Sequence, residues 1–259
     1  MPPNPDWRYQ PAEDLLAGRV ILVTGAGDGI GKIASLTYAR FGADVVLLGR
    51  TRAKLESVFD EIRQHTQTKA VIVPCDLAAL DADAADALGQ SIQADYGRLD
   101  GILHNASILG PRVPIAHYPI DDWIAVMQVN AIAPLVLTQR LLPLLDAADD
   151  ASIIYTSSGV GTRGRAYWGA YSVSKFALEG LSQIVADEHA SSGRIRANTL
   201  NPGATRTAMR AQAYPQEDAM TLPTADAHMD LYLYLMGPES RRITGQQFDA
   251  KNWSGPPDS

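Results

Sequence analysis

The sequence predicts a single doubly wound α/β domain, with a central parallel sheet of about seven strands and helices on both faces. Three observations lead there. Short apolar runs alternate with stretches of helical spacing on short connections, the pattern of strands returned to one sheet by crossover helices. With 259 residues, 46% hydrophobic and 20% charged, the chain can bury a sizeable core as one unit. No repeat, low-complexity segment or linker interrupts residues 17–250, the expected domain. A Pro-rich, extended N-terminal arm (1–16) precedes it and a C-terminal tail (251–259) follows.

In chain order, Arg19 to Thr24 is the first strand, Ile30 to Phe41 the first helix and Val45 to Leu48 the second strand. Between the first strand and helix lie Gly25, Gly27, Asp28, Gly29, Ile30 and Gly31. Glycines at this place let backbone amides at a helix N-terminus approach a diphosphate closely. The spacing is T-G-x-x-x-G-x-G, with Ile30 where the G-x-G-x-x-G fingerprint has its last glycine. The second strand ends Leu48-Gly49-Arg50 and offers no acid to ribose hydroxyls, whereas Arg50, with Arg52, can pair with a 2′-phosphate. NADP(H) is therefore the preferred cofactor and NAD(H) the runner-up; the bland alternative is an Arg50 that only solvates its loop.

Lys54 to His65 reads as a helix, Ala70 to Cys75 as a strand ending at Asp76, and Ala82 to Tyr96 as a helix that Gly97 stops. Asp100 to His104 is the fourth strand and runs into HNASILGP. Asp122 to Leu145 has helical spacing with Pro134 inside it, which predicts a kink or two helices meeting near Asn130. Ser152 to Thr156 and Arg194 to Leu200 are the fifth and sixth strands.

The chemistry concentrates between Thr156 and Lys175. Tyr171 and Lys175 are four residues apart, so on a helix begun by Tyr171 they share one face, an ammonium beside a phenol. A neighbouring positive charge lowers a phenol's pKa toward neutrality. Ser158 closes the preceding strand, and a loop with Gly159, Gly161, Gly164 and Gly169 returns the chain so that Ser158 can face Tyr171. A Tyr-x-x-x-Lys pair alone is weak evidence, since surface helices contain it by chance.

Composition excludes other classes. A net charge of -7 and a pI near 5.2 leave no footprint for nucleic acid or an anionic membrane surface. The start has no secretory pattern and no apolar run approaches the length of a membrane span. One cysteine, Cys75, permits neither an internal disulfide nor a Cys-rich metal site. A cytoplasmic protein with a small-molecule ligand and no metal is expected.

Taken together, TGAGDGIG (24 to 31), Asp76-Leu77, Asn105-Ala106, Asn130, Ser158, YSVSK (171 to 175) and NPG (201 to 203) stand in one register. In order and spacing they resemble the single-domain branch of the short-chain dehydrogenase/reductase family, over about residues 17 to 250. The resemblance implies a Rossmann fold and an oxidoreductase that reduces a carbonyl with NADPH, or runs in reverse on an alcohol. It implies that Ser158, thirteen residues before Tyr171, polarises the substrate oxygen, with Ser157 a strand-end neighbour. Tyr171 is then the general acid or base, Lys175 lowers its pKa, and Asn130 bends its helix and anchors a water near Lys175. Asp76, with Leu77, would meet the adenine, Asn105 and Ala106 the cofactor's flank, and Pro202, Gly203 and Thr205 the nicotinamide carboxamide or diphosphate. Leu109, Tyr167, Trp168, Met209 and Tyr214 would wall the substrate, under a lid at 206–223 that a ligand orders.

Two departures stand out. His104 and Ser107 replace the family's usual residues in HNAS, where His104 reads as structural and Ser107 narrows the cleft floor. The C-terminus lacks the usual Gly-Gly after the last strand, so its placement stays open. The helix after Tyr171 carries a wide apolar arc (Val173, Ala177, Leu178, Gly180, Leu181, Ile184, Val185), and family members commonly pair this helix across a two-fold axis. A homodimer or homotetramer is expected, against a monomer whose helix packs under a loop. The rival functions are a regulatory NADP-binding protein without turnover, and an epimerase or dehydratase with tightly held NAD.

Overall fold

Each apolar run read as a strand pairs in register with a neighbour. In the computed structural model, which describes residues 4–257, the chain runs β1 (Val20–Thr24), α1 (Gly29–Arg40), β2 (Asp44–Gly49), α2 (Arg52–His65), β3 (Ala70–Pro74) and α3 (Ala82–Tyr96). It continues through β4 (Gly101–His104), α4 (Ile120–Met127), a π turn (Gln128–Ile132), α5 (Ala133–Asp146), β5 (Ala151–Thr156) and α6 (Gly169–Glu188). It closes with β6 (Ile195–Asn201), α7 (Ala208–Ala213), α8 (Met229–Met236) and β7 (Gln247–Asp249). The seven strands form one sheet in the order β3-β2-β1-β4-β5-β6-β7, every pair parallel.

Strand alternation divides the core into two layers. Ile21, Val23, Val45 and Leu47 face α1, α2 and α8, whereas Val20, Leu22, Val46 and Leu48 face α3, α5 and α6. A parallel strand covered on both sides must be apolar throughout, which is why these strands read as unbroken runs. Each such side chain contributes about 1.5–3 kcal/mol by leaving water. Gly97 ends α3 in the left-handed region (φ 74°), as its place in the sequence predicts.

Four features depart from the sequence reading. The seventh strand is a three-residue one, Gln247–Asp249, beside β6. Pro134 follows closely on the π turn that contains Asn130, within one continuous helical stretch, so its missing N–H leaves a carbonyl of that turn without its regular partner. The helical stretch Ile120–Asp146 is 27 residues long, with a mean hydropathy of 1.4 in its most apolar window. By length and composition it is enough to cross a membrane, contrary to the expectation that no run is. Finally, the N-terminal segment is packed rather than extended. Trp7 and Tyr9 are buried, Trp7 Nε1 donates to Asp226 O at 2.8 Å, and Arg8 donates to the carbonyls of Ala250 and Trp253.

Candidate active site

The C-terminal ends of β1, β2, β4, β5 and β6 open on one cavity of about 580 Å³, at the point where strand order reverses between β1 and β4. Open α/β sheets bind ligands at such a crevice. Thr24 closes β1 and clamps the neighbouring strand end, its Oγ1 accepting from the amides of Asn105 and Ala106, both at 3.0 Å. Asn105 Nδ2 donates in return to Thr24 O at 3.2 Å.

On one side the chain makes a cradle that only backbone fills. Gly25, Gly27, Asp28, Gly29 and Ile30 line it, with Gly25 and Gly29 in the left-handed region (φ 68° and 51°). A Cβ on Gly25 would stand 3.1 Å from Ala106 Cα, and one on Gly27 2.9 Å from Lys54 Cβ. Gly31 lies beneath the cradle, where α1 presses so closely on the turn that a Cβ would overlap Gly25 O. Asp28 caps α1 by accepting from Gly29 N at 2.7 Å, and its hydrogen bond from Lys54 holds its carboxyl below the usual carboxylate range. Exposed amides at the positive end of a 12-residue helix fit a diphosphate.

Arg50 lines the cavity at the end of β2, joined by Thr51 and Lys54. Arg52 does not line it; its guanidinium lies 3.7 Å from Glu56, one turn along α2. That helix begins two residues earlier than its apolar spacing predicts, which turns Lys54 toward the cavity and Arg52 away. Asp76, Leu77, Asn105, Ala106, Pro202, Gly203 and Thr205 all line the same space.

Ser158, Tyr171 and Lys175 line the opposite wall. Helix α6 has begun by Tyr171, so the tyrosine and lysine share a face as the spacing predicts, with Lys175 Nζ 5.4 Å from the Tyr171 ring centre. Their proton affinities differ from the sequence reading. Burial pushes Tyr171 up to about 12, opposed by the hydroxyls of Ser158 and Ser107, and pushes Lys175 down to about 7, opposed by Glu179. Desolvation, opposed only by the two hydroxyls, sets the direction of the shift on the phenol. Lys175 Nζ donates to Thr156 O at 2.7 Å. Ser157 also lines the cavity, but its hydroxyl is spent donating to Glu179 Oε1, which leaves the Ser158 hydroxyl for a ligand.

Asn130 is fully buried and does not line the cavity. Its Oδ1 accepts from Ile108 N at 2.8 Å, and its Nδ2 donates to Ile108 O at 2.9 Å and Ser174 Oγ at 3.1 Å. The side chain thus ties the π turn to the loop after β4 and to α6. His104 stacks on Tyr155 at 4.9 Å and pairs with Thr138 Oγ1 at 3.0 Å, away from the cavity, and burial pushes it down to about 3.

Of the expected substrate walls, Leu109, Trp168 and Met209 line the cavity and Tyr214 an adjoining recess. Tyr167 lines neither; it is 54% exposed and holds φ 71°, a left-handed conformation that costs a non-glycine residue about 1–3 kcal/mol. Residues 206–223, read as the lid, are tied together by hydrogen bonds of their own. Arg206 donates to the carbonyls of Ala219, Met220 and Leu222, and Arg210 meets Glu217 with two bonds of 2.6 Å. Ser107 lines the cavity, as its reading on the cleft floor expects, and Lys54 and Thr207 line it without having been singled out as site residues.

The short chain dehydrogenase family matches residues 19–218. The chain is 51% identical, over 94% of its length and 96% of the relative's, to the uncharacterized oxidoreductase YciK of Escherichia coli K12. It superposes on a short chain dehydrogenase of Shigella flexneri 2a, solved with NADP, at a TM-score of 0.88 and 50% identity, covering 93% of this chain and all of that one (100%). A counterpart from E. coli CFT073, solved with NADPH, gives 0.89 and 51%, covering 93% and 100%.

Proposed function

This chain belongs to the short-chain dehydrogenase family, and on that premise we propose that it is an NADPH-dependent carbonyl reductase. The observation that carries the reading is one cavity with a glycine cradle and Arg50 on one side and Ser158, Tyr171 and Lys175 on the other. The cradle and α1 would hold the diphosphate, Arg50 and Lys54 the 2′-phosphate, and Asp76 and Leu77 the adenine. The end of β2 presents the cation Arg50 and no acid that could take ribose hydroxyls, while Lys54 beside it is paired with Asp28, and the NADP and NADPH complexes of the relatives favour the same cofactor. When bound, it supplies the hydride.

The chain's own residues supply polarisation and a proton. Ser158 Oγ donates to the substrate oxygen, and Tyr171 delivers its proton to that oxygen as charge develops there. A phenol pushed up to about 12 is fully protonated at neutral pH, which suits an acid acting in the reductive direction. Lys175 as an ammonium steadies the phenolate that remains. Asn130 spends its amide within the protein, so a relay refilling Tyr171 would draw on backbone carbonyls that the π turn releases from regular pairing.

The second face of the helices supports a homodimer. Ile120, Ile124, Ile132 and Leu135 on the α4–α5 stretch and Val173, Phe176 and Ile184 on α6 are all exposed, and α4 packs against α6. An apolar surface of this breadth is what an isologous interface buries.

The test is NADPH and NADH oxidation against ketones, aldehydes and quinones, with Tyr171→Phe as the blank. Wild-type turnover falling at least about 100-fold in the variant, with NADPH binding kept, is the expected result. NADPH binding without Tyr171-dependent turnover of any carbonyl would favour the regulatory alternative.

A further inference from the structure

Beside the catalytic wall lies a recess under the loop that follows β5. Ser158, Trp168, Asn201, Gly203 and Arg210 line both spaces, which puts the recess next to the site where a molecule would react at Ser158. Arg163 and Arg165 line the recess, and no acidic side chain does. Three guanidinium groups around one hollow are unexpected in a chain with 29 acidic and 22 basic residues.

The three are not equivalent. Arg210 is neutralised by Glu217 and stacks 3.9 Å from the Tyr214 ring centre, so it builds the wall. Arg163 and Arg165 form no ion pair among the described residues. Their loop is nonetheless fixed at both ends. Gly161 N donates to Ser158 O at 2.7 Å, Ser172 Oγ to Val160 O at 2.5 Å, and Trp168 N to Arg165 O at 3.3 Å. Two free cations are thereby held beside the reacting centre. Guanidinium groups bind carboxylate and phosphate oxygens in paired fashion, and an exposed cation gains little from any neutral ligand.

We propose that the substrate carries an anionic group, a carboxylate or a phosphate, on an arm reaching from the reacting carbonyl into the recess, where Arg163 and Arg165 bind it. This rests on the reductase reading of Ser158 and Tyr171.

The experiment titrates the enzyme loaded with NADP+, which cannot reduce a ketone, with acetophenone, 4-acetylbenzoate and 4-acetylphenyl phosphate, following tryptophan fluorescence, in the wild type and in Arg163→Ala/Arg165→Ala. Both side chains are exposed, so truncation leaves the core intact. One or both anions should bind about 10-fold more tightly than acetophenone at low salt, the scale of two exposed ion pairs. The preference should shrink as salt rises and vanish in the double variant, with acetophenone affinity unchanged. Whichever anion gains more identifies the group. Equal affinities in the wild type, or a preference that survives in the double variant, overturns the assignment. Turnover with the Tyr171→Phe blank is read separately. Anion preference without turnover sinks the reductase reading, and turnover without anion preference sinks only the substrate class.

Discussion

Glu179 is buried one turn beyond Lys175 and is the charged side chain that acts on it. Its carboxylate accepts from Ser157 just after β5, from Thr199 Oγ1 of β6 at 2.7 Å and from Gln247 Nε2 of β7 at 2.8 Å. Around Lys175 itself stand Tyr171 on the same helix, Thr156 on β5 and, against Thr156, the hydroxyl of Tyr232 from α8. Glu179 therefore opposes the desolvation that drives Lys175 down to about 7. Glu179→Gln keeps the shape and removes the charge, so the lysine should lose its proton at lower pH. The alkaline limb of the kcat profile should move toward acid, with activity at pH 8 falling more than at pH 6. A uniform loss across pH with a lower Tm would mean that the residue is only structural. The sequence made Tyr171 and Lys175 visible because four-residue spacing encodes a shared face. Glu179 escaped because its role depends on burial and on strand ends that meet only in the folded sheet.

Exposed residues of α6 recur at 173, 176, 177 and 184, with half-buried Gly180 between them, a stripe separate from the buried one at 171, 175, 178, 182 and 185. The arc read from the sequence merged the two faces, placing core residues Leu178 and Val185 with Val173 and Ile184, and omitted Phe176. A helix apolar on two sides cannot be divided until its neighbours are known. The same double use makes Ile120–Asp146 resemble a membrane span: Val126, Leu137, Leu141 and Leu144 feed the core while Ile120, Ile124, Ile132 and Leu135 look outward. Phe176→Glu/Ile184→Glu should sediment as a monomer where the wild type sediments as a dimer or tetramer; a wild type of monomer mass refutes the interface. Buried parallel strands were legible because they have no polar face. Strand β7 was not, since three half-exposed residues, Gln247 to Asp249, carry no periodicity.

Over the whole chain, what local pattern could not reveal is where the ends go. Trp7 and Tyr9 sit in the layer of α1 and α8, Tyr9 meets Tyr234 edge-on at 5.7 Å, and Trp253 stacks beside Tyr234 at 5.7 Å. The partners of the first residues are far away in sequence: Asn4 and Trp7 bond Asp226, Arg8 N bonds Asp230 at 2.8 Å, and the Arg8 side chain reaches Ala250 and Trp253. Synthesis delivers these pieces in the wrong order. Trp7 and its neighbours leave the ribosome long before their partners from Asp226 onward, so the surface of α1 that they cover stays bare through most of translation. Nascent chains arrested before residue 226 should be cut by protease near Trp7, whereas the released protein should resist; equal resistance in both would show that the start of the chain finds another seat.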